Sequence, residues 1–422
     1  MSFLKKINKA TFAWAMNDWA NSVYATTVMA GFFPIFFKKY WANGVNDLDA
    51  TFYLGLTNSL ASIVILLIAP ILGAMADQGG NRKKYLGAFT FIGILMTFAL
   101  FFVGQGQWQF AFVIYILGNI GFFGSNIFYD SLLVNVSKKE NRDFCSGFGF
   151  AMGYLGGGIL FSLNVLMTLK PELFGIASKT LAVQYSFVTV AIWWAIFCIP
   201  LFLFVPEEKV KNKTSLSHQI KNSLKKLLTT LKSIKQQKHI FTFLLAYWLY
   251  IDAVHTIMKM AVSYGQDLGF QSDDLIKALL LTQFIGFPSA IIFGYLGQKK
   301  GPKFGLFICI FFYFLVTLWS YFMSASWEFY VLAIMIGLVQ GGIQALSRSY
   351  FSTMIPQNSS AEYFGFYNMV GKFAAVIGPT LMGLVGMLSS NPRLSLIPIA
   401  LMLIVGALLL AKVKPPYTSL KT

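Results

Sequence analysis

Charged residues are scarce in this sequence. Only 12% of its 422 residues are charged, whereas 56% are hydrophobic. A soluble protein carries about 25% charged residues, so this apolar excess cannot all be buried in a core surrounded by water. Apolar runs of about 20 residues, long enough to cross ~30 Å of hydrocarbon, recur along the chain. The alternating segments of a membrane β-barrel are missing. The composition therefore predicts an all-α integral membrane protein.

Residue types that serve metal and nucleophilic chemistry are also few. The three cysteines and three histidines are far apart and have no metal-ligand spacing: Cys145, Cys198, Cys309, His218, His239 and His255. Neither an HExxH motif, nor a Gly-x-Ser-x-Gly elbow, nor a Walker-type ATP loop occurs. We therefore expect no metal or other cofactor, no enzyme, and no ATP-driven pump within this chain alone.

Acidic residues number 16 against 33 basic ones, and the basic residues are unevenly placed. Twelve spans can be drawn, at roughly 11–37, 51–75, 85–104, 108–134, 145–169, 182–205, 240–264, 275–297, 304–324, 327–355, 363–388 and 393–412. One set of alternating loops, with the termini, holds 24 basic residues and the other set holds 5. The positive-inside rule then predicts that both termini are cytoplasmic. It also explains the net charge without a nucleic-acid partner.

A basic segment at 206–239 divides the chain into two halves, 1–205 and 240–422, with six spans each. It carries nine lysines and no arginine. Apolar residues recur among the lysines at near-helical spacing: Leu216, Ile220, Leu224, Leu227, Leu231 and Ile234. This pattern predicts a cytoplasmic linker with an amphipathic helix on the anionic inner leaflet. The alternative is a simple tether.

The two halves repeat each other in sequence. The segment Gly73–Lys83 between spans two and three corresponds to Gly294–Lys303 between spans eight and nine, 221 residues later. At an offset of 218 residues, Asp130 of span four falls on Arg348 of span ten. Two parallel repeats of six helices predict a rocker-type transporter with its site between the halves.

The Gly73–Lys84 turn, with Asp77 and Arg82 at fixed steps, resembles the signature of the major facilitator superfamily. Further stretches resemble its vacuole-effluxer-like branch: Asn17–Ser22, Phe148–Gly158, Phe243–Asp252, Gly341–Ser349, Glu362–Asn368, Gly371-Lys372 and Gly378-Pro379. This resemblance implies two pseudo-symmetric six-helix bundles. Because fungal members of the branch move amino acids out of the vacuole, it also implies a small polar substrate, an amino acid or a related compound.

Ionisable residues inside spans are costly and are therefore candidates for function. In span seven Asp252, His255 and Lys259 share one helical face, and Asp18 and Asn21 form a matching face in span one. We expect these faces to line the central cavity, where Asp18, Asp252 or His255 could couple transport to protons. The alternative is a static contact, such as Asp252 with Lys259, that only holds helices together.

Spans four, ten and eleven supply the remaining candidates for the site: Asn126, Asp130, Gln340, Gln344, Arg348 and Lys372. We hypothesise that Asp130 and Arg348 attract each other across the pseudo-symmetry axis when the cytoplasmic side closes. The rival pairing joins Asp130 to Arg82 within one half. Asp77 is expected to face the amino end of a neighbouring helix, where the helix dipole is positive. Five tryptophans near predicted span ends are expected to be interfacial anchors: Trp14, Trp19, Trp41, Trp108 and Trp327.

Together these features predict a proton-coupled secondary transporter, working by alternating access on a small polar metabolite. We expect it to be a monomer in a bacterial inner membrane. Two alternatives stay open: a lipid or lysophospholipid flippase on the same fold, and a transporter-like receptor that signals through its basic linker.

Overall fold

The chain is almost entirely helical. The computed structural model describes residues 7–45, 47–79, 81–207, 234, 236–270, 272–389 and 391–413, and within these residues it contains no β-strand. The long helices are α1 (Lys9–Trp41), α2 (Asp47–Gly79), α3 (Arg82–Ala99), α4 (Trp108–Ser131), α5 (Arg142–Leu169), α6 (Lys179–Phe197), α7 (Lys238–Asp267), α8 (Ser272–Lys300), α9 (Pro302–Phe322), α10 (Ser326–Met354), α11 (Ser360–Ser389) and α12 (Ile397–Lys412).

In the described part of the chain, eleven helical stretches are long and apolar enough to cross a membrane, and α11 completes a set of twelve. Their large apolar side chains, such as Leu67, Phe91 and Phe110, are exposed on the outer surface. Since hydrocarbon solvates such side chains as well as a protein core does, these surfaces fit a lipid environment. The prediction of a twelve-helix membrane protein is confirmed.

Helix α1 departs from regular α-helical geometry in a way that the sequence did not predict. It is α-helical over Lys9–Val23, but its outer part contains two π-helical segments, Tyr24–Phe32 and Phe37–Trp41. Its repeat counterpart α7 is α-helical throughout Lys238–Asp267. The two halves are therefore related in topology but differ in this helix.

Equivalent helices make equivalent contacts in the two halves. In the first half α2 and α3 pack on α4 and α1 packs on α5; in the second half α8 and α9 pack on α10 and α7 packs on α11. Between the halves α5 packs on α8 and α2 packs on α11. These paired contacts give the two pseudo-symmetric six-helix bundles that the sequence repeat predicts.

Two lysines show the same symmetry at the cytoplasmic surface. Lys83 donates hydrogen bonds from Nζ to the carbonyl oxygens of Phe202 (2.7 Å) and Val205 (2.9 Å), where Ile199–Phe204, the helical extension of α6, ends. Lys303 does the same at the end of α12, to Ala411 and Val413 (both 2.8 Å). Each lysine thus satisfies carbonyl groups that the last turn of a helix leaves without partners.

The predicted linker lies mostly outside the described residues. The structure does not describe residues 208–233 and 235. The amphipathic helix and the boundaries at 1–205, 206–239 and 240–422 therefore stay predictions. The helical extension of α6 ends at Phe204 and α7 begins at Lys238. The side chains of Lys259 and Lys372 also lie outside the described part of the chain.

Candidate functional site

Arg348 of α10 reaches into the first half and is bound there on several sides. Its guanidinium donates to Asp130 Oδ1 at 3.1 Å, to Ser146 Oγ at 2.9 Å and to the Ser146 carbonyl oxygen at 3.0 Å. A second carboxylate, Asp18 Oδ2, lies 3.6 Å away. Arg348 is only 2% exposed. One buried guanidinium therefore joins the second half to two carboxylates of the first.

Three aromatic rings of the first half surround the same guanidinium. Its central carbon lies 4.2 Å from the ring centre of Phe150, 4.9 Å from that of Trp14 and 5.5 Å from that of Tyr129. Rings at these distances attract a cation through their quadrupole. Trp14 is fully buried here, so its prediction as an interfacial anchor is wrong.

The described geometry favours the pairing between halves over the rival pairing within one half. Asp130 is bound by Arg348 and, at 3.3 Å, by the Asn368 amide of α11. Arg82 instead pairs with Asp77 at 2.7 Å and donates to Asn135 at 2.9 Å. The two basic groups therefore serve different carboxylates.

The signature turn meets the amino end of α11. Asp77 accepts hydrogen bonds from the backbone N–H groups of Ala361 (3.2 Å) and Glu362 (2.8 Å), in the first turn of that helix. A carboxylate is stabilised at this position because the first-turn N–H groups are free and the helix dipole is positive there. The expectation for Asp77 is matched by these contacts, and they too join the two halves.

The equivalent turn of the second half has an uncharged residue where the first half has Asp77. Gln298, which corresponds to Asp77, donates to the Glu140 carbonyl oxygen at 2.9 Å. Asp143 of α5 accepts a hydrogen bond from Ser349 of α10. Arg142 donates to the Ser352 carbonyl oxygen at 3.0 Å. On both sides, the cytoplasmic ends of the halves are closed against each other.

A row of polar side chains runs along the contact between α1 and α4 towards the middle of the membrane. Tyr129 donates to Asp18 at 2.6 Å, and Asn21 donates to Asn126 at 2.8 Å. One turn further, Tyr24 donates to Asn119 at 3.1 Å. Asn21 is buried and Asn126 is half-buried. The structure thus places Asp18, Asn21 and Asn126 in one polar layer that begins at Arg348.

Asp252 lies in a different environment. It is fully buried, and both carboxylate oxygens accept from the backbone N–H of Gly378 in α11, at 2.9 and 3.1 Å. Gly378 allows this approach, because a Cβ there would lie 2.6 Å from Asp252 Oδ1. The contact supports the alternative that Asp252 holds helices together, with Gly378 as a partner. His255, one turn away, is half-buried.

Two glutamines of α10 complete the candidate set. Gln340 is buried beside Tyr154 of α5, with whose hydroxyl its amide interacts. Gln344 is half-buried, with its amide nitrogen 4.0 Å from the sulfur of Met258. The structure therefore brings together Asp18, Asp130 and Arg348 at the cytoplasmic side. The glutamines lie further along α10, towards the middle of the membrane.

Comparison with known proteins places this arrangement in a family. The family described as "Vacuole effluxer Atg22 like" matches residues 43–140 and 134–415. An MFS-type transporter of Bacillus subtilis (strain 168), YxiO, is 37% identical over 418 residues, covering 99% of this chain and 97% of that protein. The chain belongs to the vacuole effluxer Atg22-like family. Another relative, autophagy-related protein 22 of Pichia angusta, is 24% identical and covers 87% of this chain and 75% of that protein.

Solved structures of transporters share this fold. The proton:xylose symporter XylE superposes with a TM-score of 0.72 at 13% identity, covering 97% of this chain and 96% of that one. The human organic anion transporter MFSD10 superposes with a TM-score of 0.73 at 14% identity, covering 95% and 99%. This Atg22-like protein is therefore a multi-pass membrane transporter with the major facilitator fold.

The sequence predicted no role at the site for several residues around Arg348 in this Atg22-like protein. Trp14, Tyr129, Ser146 and Phe150 carry no charge, and an aromatic or a serine inside a span gives no signal of its own. Trp14 and Tyr129 stack on each other with ring centres 4.5 Å apart. Helical spacing offers one clue, because Trp14 and Asp18 are four residues apart and so share a face of α1.

Proposed function

We propose that this Atg22-like protein is a secondary transporter whose two halves rock to expose a central site to each side of the membrane in turn. Its substrate is a small polar metabolite, an amino acid or a related compound, and it works in the bacterial cytoplasmic membrane. The observation that carries the proposal is the insertion of Arg348 between Asp18 and Asp130 of the opposite half. The Bacillus subtilis relative supports a bacterial membrane, and the xylose and organic anion transporters of the same fold support a small-molecule substrate.

The contacts at the cytoplasmic ends suit a gate that opens and closes. They include an ion pair and several hydrogen bonds between the halves, which water can replace when the halves separate. A purely structural interface would instead be expected to be mainly apolar, because a buried ion pair adds little net stability over well-packed apolar residues. The state described here has this gate closed.

Two carboxylates that share one guanidinium support the proposal of proton coupling. The titratable and charged groups that face Asp18 are Arg348 from α10, Tyr129 and Asp130 from α4, and Tyr154 from α5. When the cytoplasmic side opens, Asp18 and Asp130 lose their cation but stay close together, and two carboxylates at one site favour uptake of a proton by one of them. Protonation of one carboxylate then stabilises the open gate, and loss of that proton allows Arg348 to bind again and close it.

We expect Asp18→Asn to abolish uptake driven by a proton gradient while exchange of substrate across the membrane continues. The amide keeps a hydrogen-bond acceptor for Tyr129 but can no longer bind or release a proton. Uptake and exchange are compared in liposomes with and without a pH gradient.

Asp252→Asn is the matched change in the second half. Because Asp252 binds a backbone N–H, we expect this variant to lower thermal stability and to leave the pH dependence of transport unchanged. If Asp252→Asn abolished the pH dependence of transport and Asp18→Asn did not, proton coupling would be assigned to Asp252.

Transport itself is tested by counterflow in liposomes that contain only this protein. A thermal-shift screen of amino acids, peptides and nucleosides first identifies a ligand, since a ligand stabilises the state that it binds. Labelled ligand should then accumulate transiently in liposomes preloaded with unlabelled ligand. A receptor would bind without accumulation, and a flippase would move labelled lysophospholipid between leaflets instead. Either result would contradict the proposed function.

A further inference from the structure

Tyr154 of α5 inserts its ring into the opposite half at a point where two helices lack side chains. A Cβ at Gly286 of α8 would lie 2.9–3.1 Å from three atoms of the Tyr154 ring. A Cβ at Gly341 of α10 would lie 2.9 Å from Tyr154 Cε2 and 2.7 Å from Ala290 Cβ. Tyr154 is 8% exposed. The ring therefore fills a slot between α8 and α10 that only glycine leaves open.

This slot lies further from the cytoplasm than the Arg348 gate. Gly341 precedes Arg348 by seven residues on α10, which corresponds to about 10 Å along the helix. On α5, Tyr154 lies twelve residues after Arg142, about 18 Å from the cytoplasmic end. Tyr154 is therefore close to mid-membrane. When two rigid bodies rock about an axis near the membrane centre, contacts at that depth move least and contacts at the ends move most.

We propose that Tyr154 is a positioning residue that acts as the fulcrum between the halves, staying in the Gly286–Gly341 slot while the cytoplasmic and outer ends separate in turn. This inference rests on the proposed alternating-access function. The ring supplies the contact surface, and its role is different from that of Arg348. Arg348 holds one end closed, whereas Tyr154 keeps the two halves in register in both states.

The test uses two spin-label pairs on a background in which Cys145, Cys198 and Cys309 are replaced by alanine. The cytoplasmic pair is Lys139→Cys with Asn358→Cys, and the outer pair is Gln105→Cys with Ser324→Cys; all four positions are exposed and each pair joins the two halves. If Tyr154 is the fulcrum, Tyr154→Ala broadens the distance distributions of both pairs without favouring the cytoplasm-open distance. Tyr154→Phe keeps the ring and should match the wild type.

A second measurement places the ring in the slot directly. Gly286→Ala should lower the melting temperature by about 3 °C or more, because the new methyl group overlaps the Tyr154 ring. In a Tyr154→Ala background, Gly286→Ala should not lower the melting temperature further, since the overlapping ring atoms are absent. Gly158→Ala is the matched control at the α5–α8 contact, because its nearest neighbour would be Phe284 at an ordinary 3.5 Å; it should leave the melting temperature unchanged.

Three results would overturn the fulcrum. Tyr154→Ala could lengthen the cytoplasmic pair alone, which would make Tyr154 a latch. Tyr154→Phe could behave like Tyr154→Ala, which would assign the effect to the hydroxyl and Gln340. If Gly286→Ala lowered the melting temperature equally in the wild type and in Tyr154→Ala, the ring would not fill the slot. A failure of alternating access itself is recognised separately, because Arg348→Gln would then leave the cytoplasmic pair unchanged.

Discussion

Gly73→Val is expected to hold the cytoplasmic side open. A Cβ at Gly73 of α2 would overlap the Ala361 carbonyl oxygen of α11 and lie 2.6 Å from the Ala361 carbonyl carbon and 2.9 Å from Glu362 Cα. These are backbone atoms of the other half, so no side-chain rotation relieves the overlap. Overpacking of this kind costs about 1–3 kcal/mol or more. Separation of the halves removes that cost, so the closed state alone is destabilised.

In Gly73→Val we expect a longer distance between spin labels at Lys139→Cys and Asn358→Cys, the cytoplasmic pair. We also expect a normal yield of folded protein and almost no transport. Gly121→Val is the control, because a Cβ there would also meet backbone, 2.7 Å from Gly93 Cα and 2.8 Å from the Phe89 carbonyl oxygen. Both of those neighbours lie on α3 in the same half, so rocking cannot relieve the overlap. Gly121→Val should therefore lose folded protein. If Gly73→Val lost folded protein to the same extent, the contact between α2 and α11 would be a fixed part of the fold.

Arg348→Gln is expected to shift the protein strongly towards the cytoplasm-open state. The substitution leaves Asp18 and Asp130 buried without their cation in the closed state, and breaking a buried ion pair in this way costs about 3–5 kcal/mol. A change of about 1.4 kcal/mol is tenfold in an equilibrium. The ratio of closed to open protein should therefore fall by a factor on the order of 100 or more, and the cytoplasmic pair should report the longer distance.

Arg393→Gln is the matched loss of an arginine within one half. Arg393 donates to the carbonyl oxygens of Tyr321 (2.7 Å) and Met323 (2.8 Å). All three residues belong to the second half. Its removal should lower thermal stability without changing the cytoplasmic distance. If Arg348→Gln left the cytoplasmic distance no longer than in Arg393→Gln while Gly73→Val lengthened it, the cytoplasmic side would still open and Arg348 would not be the gate.

A charge swap, Asp130→Arg with Arg348→Asp, should restore closure only in part. The new pair regains the attraction across the axis, but the aspartate at position 348 faces Asp18 and loses the hydrogen bonds that the guanidinium donates to Ser146. We expect the double variant to close better than either single variant and less well than the wild type. No recovery at all would mean that attraction between positions 130 and 348 contributes little to closure.

The sequence offered the Asp130–Arg348 contact as one of two pairings, because the two residues occupy equivalent repeat positions, and equivalent positions near a twofold axis lie close together. It predicted the site of Asp77 because a carboxylate in that turn suits a helix amino end. The first inference needed only the repeat, and the second needed only the signature turn and the polarity of a helix end. Contacts of that kind can be read from a sequence with internal symmetry.

Other contacts could not be predicted in this way. The faces that carry Asp18 and Asp252 are expected to line one cavity, but Asp18 contacts Arg348 whereas Asp252 contacts a backbone N–H of α11. The second contact depends on how closely two helices approach at Gly378, which the sequence does not specify. The slot for Tyr154 likewise needs two glycines from different helices. Such close approaches depend on the packing of the whole bundle.

The central claim is that the two ends of the molecule open alternately. Its most direct test measures both spin-label pairs in the wild type and in Arg348→Gln. We predict reciprocal changes: in Arg348→Gln the cytoplasmic pair lengthens while the outer pair shortens. If the cytoplasmic pair lengthened with no change in the outer pair, or if neither pair changed, the two halves would not rock about a shared centre and the account would be contradicted.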